Sequence, residues 1–435
     1  MLLENKLILP AITGIPVSMF HLVHTQLPFI VNLLILLLVA KLLGELAERF
    51  RQPSMIGEVI AGVILGPSML HIIPNAGEIK VIAELGVFML IVMAGMEIEV
   101  EEIRNSIRGK SIWIALLGFI VPMASGIGIG LIFNYSYTFT IFLGLCIAIT
   151  ALPVSIRILM DLGKLQTDVG QRIISAAIFN DIVALLILGI ILDFNDATKN
   201  LGALTVSIIL TIIKVGVFTA ILIIAYHFFK LAKRKVNVVN PQMNKFTRYL
   251  RGKESIFALV ILFVLIFSSI AELLGLHFII GAFFGAILIP RSMFANRDFE
   301  KVQRSISGIT MGFLAPIFFA TMGISFNFGS IDNGMLLMTI LLASFVSKIF
   351  GGYLGGRLAG FNQAKSVTLG LGLNARGIME LVIANIALAK GFIDVSVFSI
   401  LVLMALLTTI LTPFLLKAGF SLISKTEPET RNTFT

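Results

Sequence analysis

Apolar runs of about 20 residues recur along almost the whole chain, parted by short polar connectors; that is the length a helix needs to cross the hydrocarbon core of a bilayer. The pattern predicts an all-α polytopic membrane protein with about 13 transmembrane helices. They fall near residues 28–47, 54–71, 80–98, 112–134, 138–160, 170–193, 202–230, 254–275, 277–291, 309–328, 334–357, 366–389 and 394–417. The ninth, HFIIGAFFGAILIPR, is short enough to be a steeply placed or half-buried helix. Residues 1–27 form an apolar N-terminal extension broken by Pro10, Gly14 and Pro16. It has no charged leader and no clear cleavage site, so a signal peptide is not expected. Residues 421–435 form a short polar cytoplasmic tail, too short for a domain.

Charge in the connectors sets the orientation. Connectors after odd-numbered segments carry Arg49 and Arg51; Arg104, Arg108 and Lys110; Lys164 and Arg172; the block from Lys230 to Lys253; Arg297, Lys301 and Arg304; and Lys365. Connectors after even-numbered segments carry little beyond Lys80 and Lys199. By the positive-inside rule the first group is cytoplasmic, with the N-terminus outside and the C-terminus inside. The net charge of +9 is then a topology signal. No basic stretch is interleaved with aromatics on a soluble face, so no nucleic-acid partner is expected. The block from Lys230 reads as a basic linker between two halves; contact with lipid headgroups is the lesser reading.

Composition agrees: 57% of residues are hydrophobic and 13% charged, against nearer a quarter charged in soluble domains. The single cysteine, Cys146, excludes an intramolecular disulfide, and the five histidines have no ligand spacing. His277 follows an outer loop and has no obvious partner.

Segments 2–6 and 9–13 are offset by an odd number, so if they are repeats they are inverted ones. Pro153, in ITALPVSIR of segment 5, lacks an N–H and should break its helix. Segment 12 holds LGLNARG, with Gly370, Gly372 and Gly377 around a buried charge. Interrupted helices at matching places in two halves point to a secondary transporter site.

The charges inside apolar runs carry the chemistry. Asp181, beside Asn180 in ISAAIFNDIVALLILG, is expensive in a bilayer and is the expected site where a cation and a proton compete. A carboxylate offers a hard oxygen that replaces part of the water shell of Na⁺ or K⁺, and Asn180 adds a neutral oxygen or a donor. The alternative is a buried Asp satisfied by a lysine that merely holds helices together. Lys348 is the expected charge partner, pairing with Asp181 or with carbonyl ends of a broken helix; it stands about 14 residues into its segment, too deep for easy snorkelling. Arg376 and Glu380, four apart, share a helix face as a local ion pair, chiefly structural. Thr150, with Pro153, marks the break where freed carbonyls face the ion. Glu58, Glu84 and Glu272 lie near segment ends and read as interfacial, and Glu97 and Glu99 as solvated.

These residues carry a resemblance. QPSMIGEVIAGVILGPS, ELGVFMLIVMAGMEIE, FNDIVAL, AELLGLHFIIGAF, APIFFATMGIS, the Lys348 helix and LNARGIMELVIANIAL resemble the monovalent cation:proton antiporters of the branch that includes NapA, the Kef transporters and the plant CHX exchangers. The likeness covers about residues 30–420. It implies an antiporter fold like those of NhaA and NapA, a homodimer of inverted repeats with two discontinuous crossing helices. Residues 28–420 would be the antiporter domain, with a mobile core around 112–193 and 334–417 and a dimerisation part from the remaining helices. By resemblance Asp181 binds cation and proton, Lys348 is the core-domain lysine, and Pro153, Asn374, Arg376 and Glu380 support the crossing helices. Two departures matter. Asn180 stands where electrogenic relatives carry a second carboxylate, which favours one proton per cation, although the retained Lys348 leaves the count open. Kef-type members add a soluble nucleotide-binding domain; this sequence ends before one, so regulation by that route is not expected.

The expectation is therefore an antiporter exchanging Na⁺ or K⁺ for H⁺, not an enzyme, with no organic cofactor. Its setting would be membrane lipid, a bacterial cytoplasmic membrane by class. NARG is similar to the stretch in K⁺-handling exchangers, but a single Asp does not separate Na⁺ from K⁺. A channel or uniporter, and a non-transporting sensor, are the competing readings.

Overall fold

The structure is a computed structural model that describes residues 28–50, 52–73, 77–98, 112–192, 210, 213–228, 231, 253–289 and 296–426. The N-terminal extension, Arg51, the connector with Glu99, Arg104, Arg108 and Lys110, Lys199, most of the basic linker and residues 427–435 lie outside it.

Among the described residues all regular structure is helical. The helices are α1 (Phe29–Arg49), α2 (Ser54–Leu65), α3 (Gly77–Glu97), α4 (Ile112–Ile132), α5 (Tyr137–Ala148), α6 (Leu152–Asp161) and α7 (Asp168–Leu192). Then come α8 (Ile213–Phe228), α9 (Lys253–Leu273), α10 (Phe278–Ile287), α11 (Asn296–Ile309) and α12 (Ala315–Ser325). The last four are α13 (Gly334–Leu358), α14 (Gln363–Gly372), α15 (Ile378–Ala389) and α16 (Val395–Thr426). Nine stretches among the described residues are long and apolar enough to cross a membrane, and α2, α8, α10 and α15 are shorter apolar helices. Each predicted segment contains one of these or part of one.

Three boundaries differ from expectation. α2 stops at Leu65 because Gly66 turns extended ahead of Pro67, which has no N–H and disfavours a helical residue before it. The connector holding Lys301 and Arg304 is helical: α11 runs through one π-helical turn, Thr310–Leu314, into α12. Phe299, Val302 and Ile306 are buried at helical spacing there, while the charges between them hide the helix from a search for apolar runs. α16 continues to Thr426, into the stretch read as tail.

The chain divides into two compact units, residues 1–83 with 316–325, and residues 84–315 with 326–435. Helices in lipid gain little from burying apolar area against one another, so close packing of small residues decides where they touch. In the first unit α2 supplies that packing. A Cβ on Gly57 would lie 2.0 Å from the Leu43 carbonyl oxygen of α1, and one on Gly62 would lie 1.8 Å from that of Ala320 in α12. Leu36, Ala40, Ala61, Leu65 and Ile317 fill the space between. Glu58, read as interfacial, is 1% exposed and pairs loosely with Lys41 at 3.9 Å.

In the second unit α13 lies between α4 and α14 and carries a glycine face toward each. Cβ atoms on Gly351 and Gly355 would meet the Leu117 and Trp113 carbonyl oxygens of α4 at 2.5 and 2.6 Å. On the other side Gly352 faces Gly370 and Gly356 faces Ser366, both on α14. α5 closes on α4 where Gly144 meets Met123 and Ile127. This crossing level is where the interior charges sit.

Gly62→Ala should lower the thermal unfolding midpoint of the detergent-solubilised protein, the cost of overpacking a backbone contact being about 1–3 kcal/mol. Gly128→Ala, whose Cβ would meet nothing within 4 Å, should leave the midpoint unchanged or slightly raised. Equal behaviour of the two variants would refute this account of the packing.

Candidate functional site

The site begins where two helices fail to continue. α5 ends at Ala148, the chain runs extended through Ile149, Thr150 and Ala151, and α6 begins at Leu152. Pro153, expected to break the helix, instead opens its second half from the first turn, where the missing N–H has no intrahelical role. The matching interruption spans residues 373–377, between α14 and α15. The two interruptions satisfy each other: the Ala151 N–H donates to the Ala375 carbonyl at 2.8 Å and the Thr150 hydroxyl lies 3.2 Å from the Leu373 carbonyl. Asn374 donates from Nδ2 to Gly370 at 3.1 Å, and the Thr409 hydroxyl to the Arg376 carbonyl at 2.9 Å. Irregular backbone survives at membrane depth only when it is so enclosed.

A helix end leaves its last four carbonyls without intrahelical donors and carries partial negative charge. At the end of α5 two buried cations meet that need. Arg376 spreads its fork over adjacent carbonyls, Nη1 to Cys146 at 2.6 Å and Nη2 to Ile147 at 2.9 Å. Lys348 donates to the Ala148 carbonyl, to Thr150 Oγ1 at 2.7 Å and to the Gly118 carbonyl of α4 at 3.2 Å. An ammonium has three donors, and all three are engaged. Lys348 is fully buried and does not snorkel.

Arg376 and Glu380 pair at 3.3 Å, but not on one helix face as expected. Arg376 lies in the extended stretch, and Glu380 in the first turn of α15, where the helix dipole favours a carboxylate.

Asp181 sits midway along α7 and is 1% exposed. Its Oδ1 is buried without a hydrogen-bond partner. Lys348 and Glu97 are its electrostatic neighbours, yet among the described residues it makes no close ion pair with the lysine. Asn180 is fully buried next to it. Its amide oxygen faces the Thr150 hydroxyl at 3.1 Å, whose one hydrogen goes either there or to Leu373, and its nitrogen donates to the Ala176 and Ala115 carbonyls at 3.2 and 3.3 Å. Asn180 thus ties α7 to the break and to α4 and fixes where Asp181 stands.

Glu97 is the residue that sequence reading missed. Read as solvated, it is only partly exposed, its Oε2 is buried without a partner, and it faces the Asp181 charge. Glu84 and Glu272 are exposed. His277 does have a partner: its Nδ1 caps α10, accepting from the Ile279 N–H at 3.4 Å. Among the described residues no three His, Cys, Asp or Glu come together as a metal cage. Carboxylates with neutral oxygens beside two cations suit a monovalent guest better than a divalent one.

The family model described as "Sodium/hydrogen exchanger, transmembrane" matches residues 33–418. The chain is similar to the Na(+)/H(+)-K(+) antiporter GerN of Bacillus cereus, 30% identical over 396 residues, 91% of this chain and 97% of GerN. It is 32% identical to the probable Na(+)/H(+) antiporter GerT of the same organism, over 90% of this chain and 99% of GerT. Cation/H(+) antiporter 18 of Arabidopsis thaliana is 30% identical, over 88% of this chain but 48% of its own length. Among solved structures, the sodium proton antiporter MjNhaP1 from Methanocaldococcus jannaschii matches with a TM-score of 0.63 at 16% identity, covering 91% of this chain and 97% of that one. At that identity the likeness is one of fold.

Removing the fork at the break tests the capping account. Arg376→Met should lower the thermal midpoint strongly, since stranding one member of a buried pair costs about 3–5 kcal/mol. Arg376→Lys keeps the charge but not the two-carbonyl geometry and should recover only part of the loss. Full recovery by lysine would show that charge alone matters.

Proposed function

The chain belongs to the sodium/hydrogen exchanger family, and from that premise we propose that it exchanges Na⁺ or K⁺ for H⁺ across a membrane, one for one, through Asp181. The observation that carries this reading is the buried Asp181 Oδ1 with no hydrogen-bond partner, beside cations already held on backbone carbonyls. An isolated carboxylate in a low-dielectric interior needs a counter-charge. A proton or a monovalent cation supplies it, and one oxygen does not hold both. Thr150 and Asn180 offer neutral oxygens that would replace part of a cation's hydration.

The charges within reach support the one-for-one count. Asp181 and Glu380 face Lys348, Glu380 also faces Arg376, and Glu97 faces Asp181, so with all five ionised a single negative charge is left over. One proton cancels it, and so does one Na⁺ or K⁺. Both loaded forms then cross with the same charge, as electroneutral exchange requires. The count depends on Lys348 staying protonated, which its three acceptors favour.

Elevator-type alternating access and a homodimer, both implied by the resemblance, belong to the same proposal. So does a bacterial cytoplasmic membrane with the C-terminus inside, which rests on the connector charges. Na⁺ is the favoured cation, with Li⁺ and K⁺ competing.

Proteoliposomes carrying an internal pH dye test the proposal. Pulses of Na⁺, Li⁺ and K⁺ should each be scored for the pH change they drive, with and without a clamped membrane potential. Wild type should show a cation-driven change that the clamp leaves unaltered, and Asp181→Asn should abolish it. A wild type that moves no protons for any cation sinks the antiporter reading, and clamp-sensitive exchange sinks the one-for-one count.

A further inference from the structure

Lys348 sits beside Asp181, yet the structure holds the two apart, and the reason lies in a third helix. One of the three acceptors that hold Lys348 is the Gly118 carbonyl of α4. In an unbroken helix that carbonyl would accept from the N–H of residue 122. Residue 122 is proline, set inside α4. It has no N–H to give, and its ring crowds the carbonyl four residues earlier, pushing it outward from the helix. The Gly118 oxygen therefore lacks its ordinary intrahelical donor, and in a bilayer some other donor must reach it.

We propose that Pro122 is a positioning residue for exchange: by freeing the Gly118 carbonyl it anchors Lys348 on the backbone and leaves Asp181 open to the cation. The inference rests on the exchange reading above and deepens it. The packing makes the reach possible. Gly351 and Gly355 bring α13 against the α4 backbone at Leu117 and Trp113, so Lys348, one turn earlier on α13, arrives level with Gly118. The Ala148 carbonyl and Thr150 hydroxyl complete the set from the α5 end. All three acceptors are neutral oxygens, and none belongs to a carboxylate.

The charges around Lys348 make the anchor necessary. Asp181 on α7 and Glu380 on α15 attract it, and Arg376 in the break repels it. α4 and α5 contribute no charged residue; α14 brings only Lys365, in its first turn, and α16 only Lys417 and Lys425, toward its C-terminal end. An ammonium loosened from its carbonyls has Asp181 as a ready partner, and a lysine paired with Asp181 competes with the transported cation for the same oxygen.

Pro122→Ala supplies the missing N–H and lets the Gly118 carbonyl turn back into α4. The cation concentration giving half-maximal exchange in the dye-loaded proteoliposomes should rise by about tenfold, the worth of one charge-assisted hydrogen bond, with the maximal rate little changed. Pro122→Gly restores the same N–H in a more compliant backbone and serves if the alanine variant does not fold. In a Lys348→Gln background the alanine substitution should no longer move the half-maximal concentration, which a general effect on α4 would still do. An unchanged half-maximal concentration in both Pro122 variants, or an equal rise without Lys348, overturns the inference. Loss of maximal rate alone also overturns it and reduces Pro122 to a structural kink. Because wild-type exchange and its loss in Asp181→Asn are scored in the same vesicles, failure of this inference is distinct from failure of the exchange reading.

Discussion

A backbone carbonyl inside a bilayer has no water to turn to, and the interior of this protein is arranged around that constraint. Stopping α5 at Ala148 leaves a cluster of carbonyls at membrane depth, a negative helix end with no intrahelical donors. Lys348 and Arg376 answer it. Each is costly to bury alone, and each is held by several oxygens at once. The interrupted helix and the buried cations therefore require one another: neither is stable in lipid without its counterpart.

The two cations are not equivalent. Arg376 bridges neighbouring carbonyls of a single helix end, which suits a rigid planar fork. Lys348 gathers one acceptor from α4, one from the end of α5 and one from the extended stretch, which suits a compact ammonium on a flexible stem. Arg376 also has a carboxylate beside it in Glu380, whereas Lys348 has only dipoles for direct partners. A lysine held by dipoles alone is the one poised to respond when the charge on Asp181 changes.

Much of this was legible in the sequence because the bilayer makes the code simple. Length and hydropathy place the helices. Asp181, Lys348, Arg376 and Glu380 stand out because ionisable groups in apolar runs are rare. What remained illegible follows from the same simplicity. Glu97 closes an apolar run and looks solvated, since nothing in one sequence tells a solvated helix end from one folded against a neighbour. α11 is amphipathic, so a search tuned to uniformly apolar stretches passes over it. Pro153 announces an interruption but not which side of it the proline will occupy. The placement of Lys348 on carbonyls depends on the glycine faces of α13, and only the packed structure shows what those faces touch.

In the proposed reading, exchange comes from keeping one negative charge unanswered. Had Lys348 paired with Asp181, the interior would be balanced without a guest, and a cation would have to displace an ammonium from a low-dielectric ion pair, where stranding either partner is costly. Holding Lys348 on dipoles, with Arg376 on dipoles and Glu380, removes that competition while keeping their positive field near enough to moderate the carboxylate. Asn180 acts in the same direction: it secures α7 to the break through neutral hydrogen bonds and adds no second charge at the Asp181 position. The guest that fits is then whatever brings a single positive charge and little demand for ligands, which describes a proton and a monovalent cation equally well.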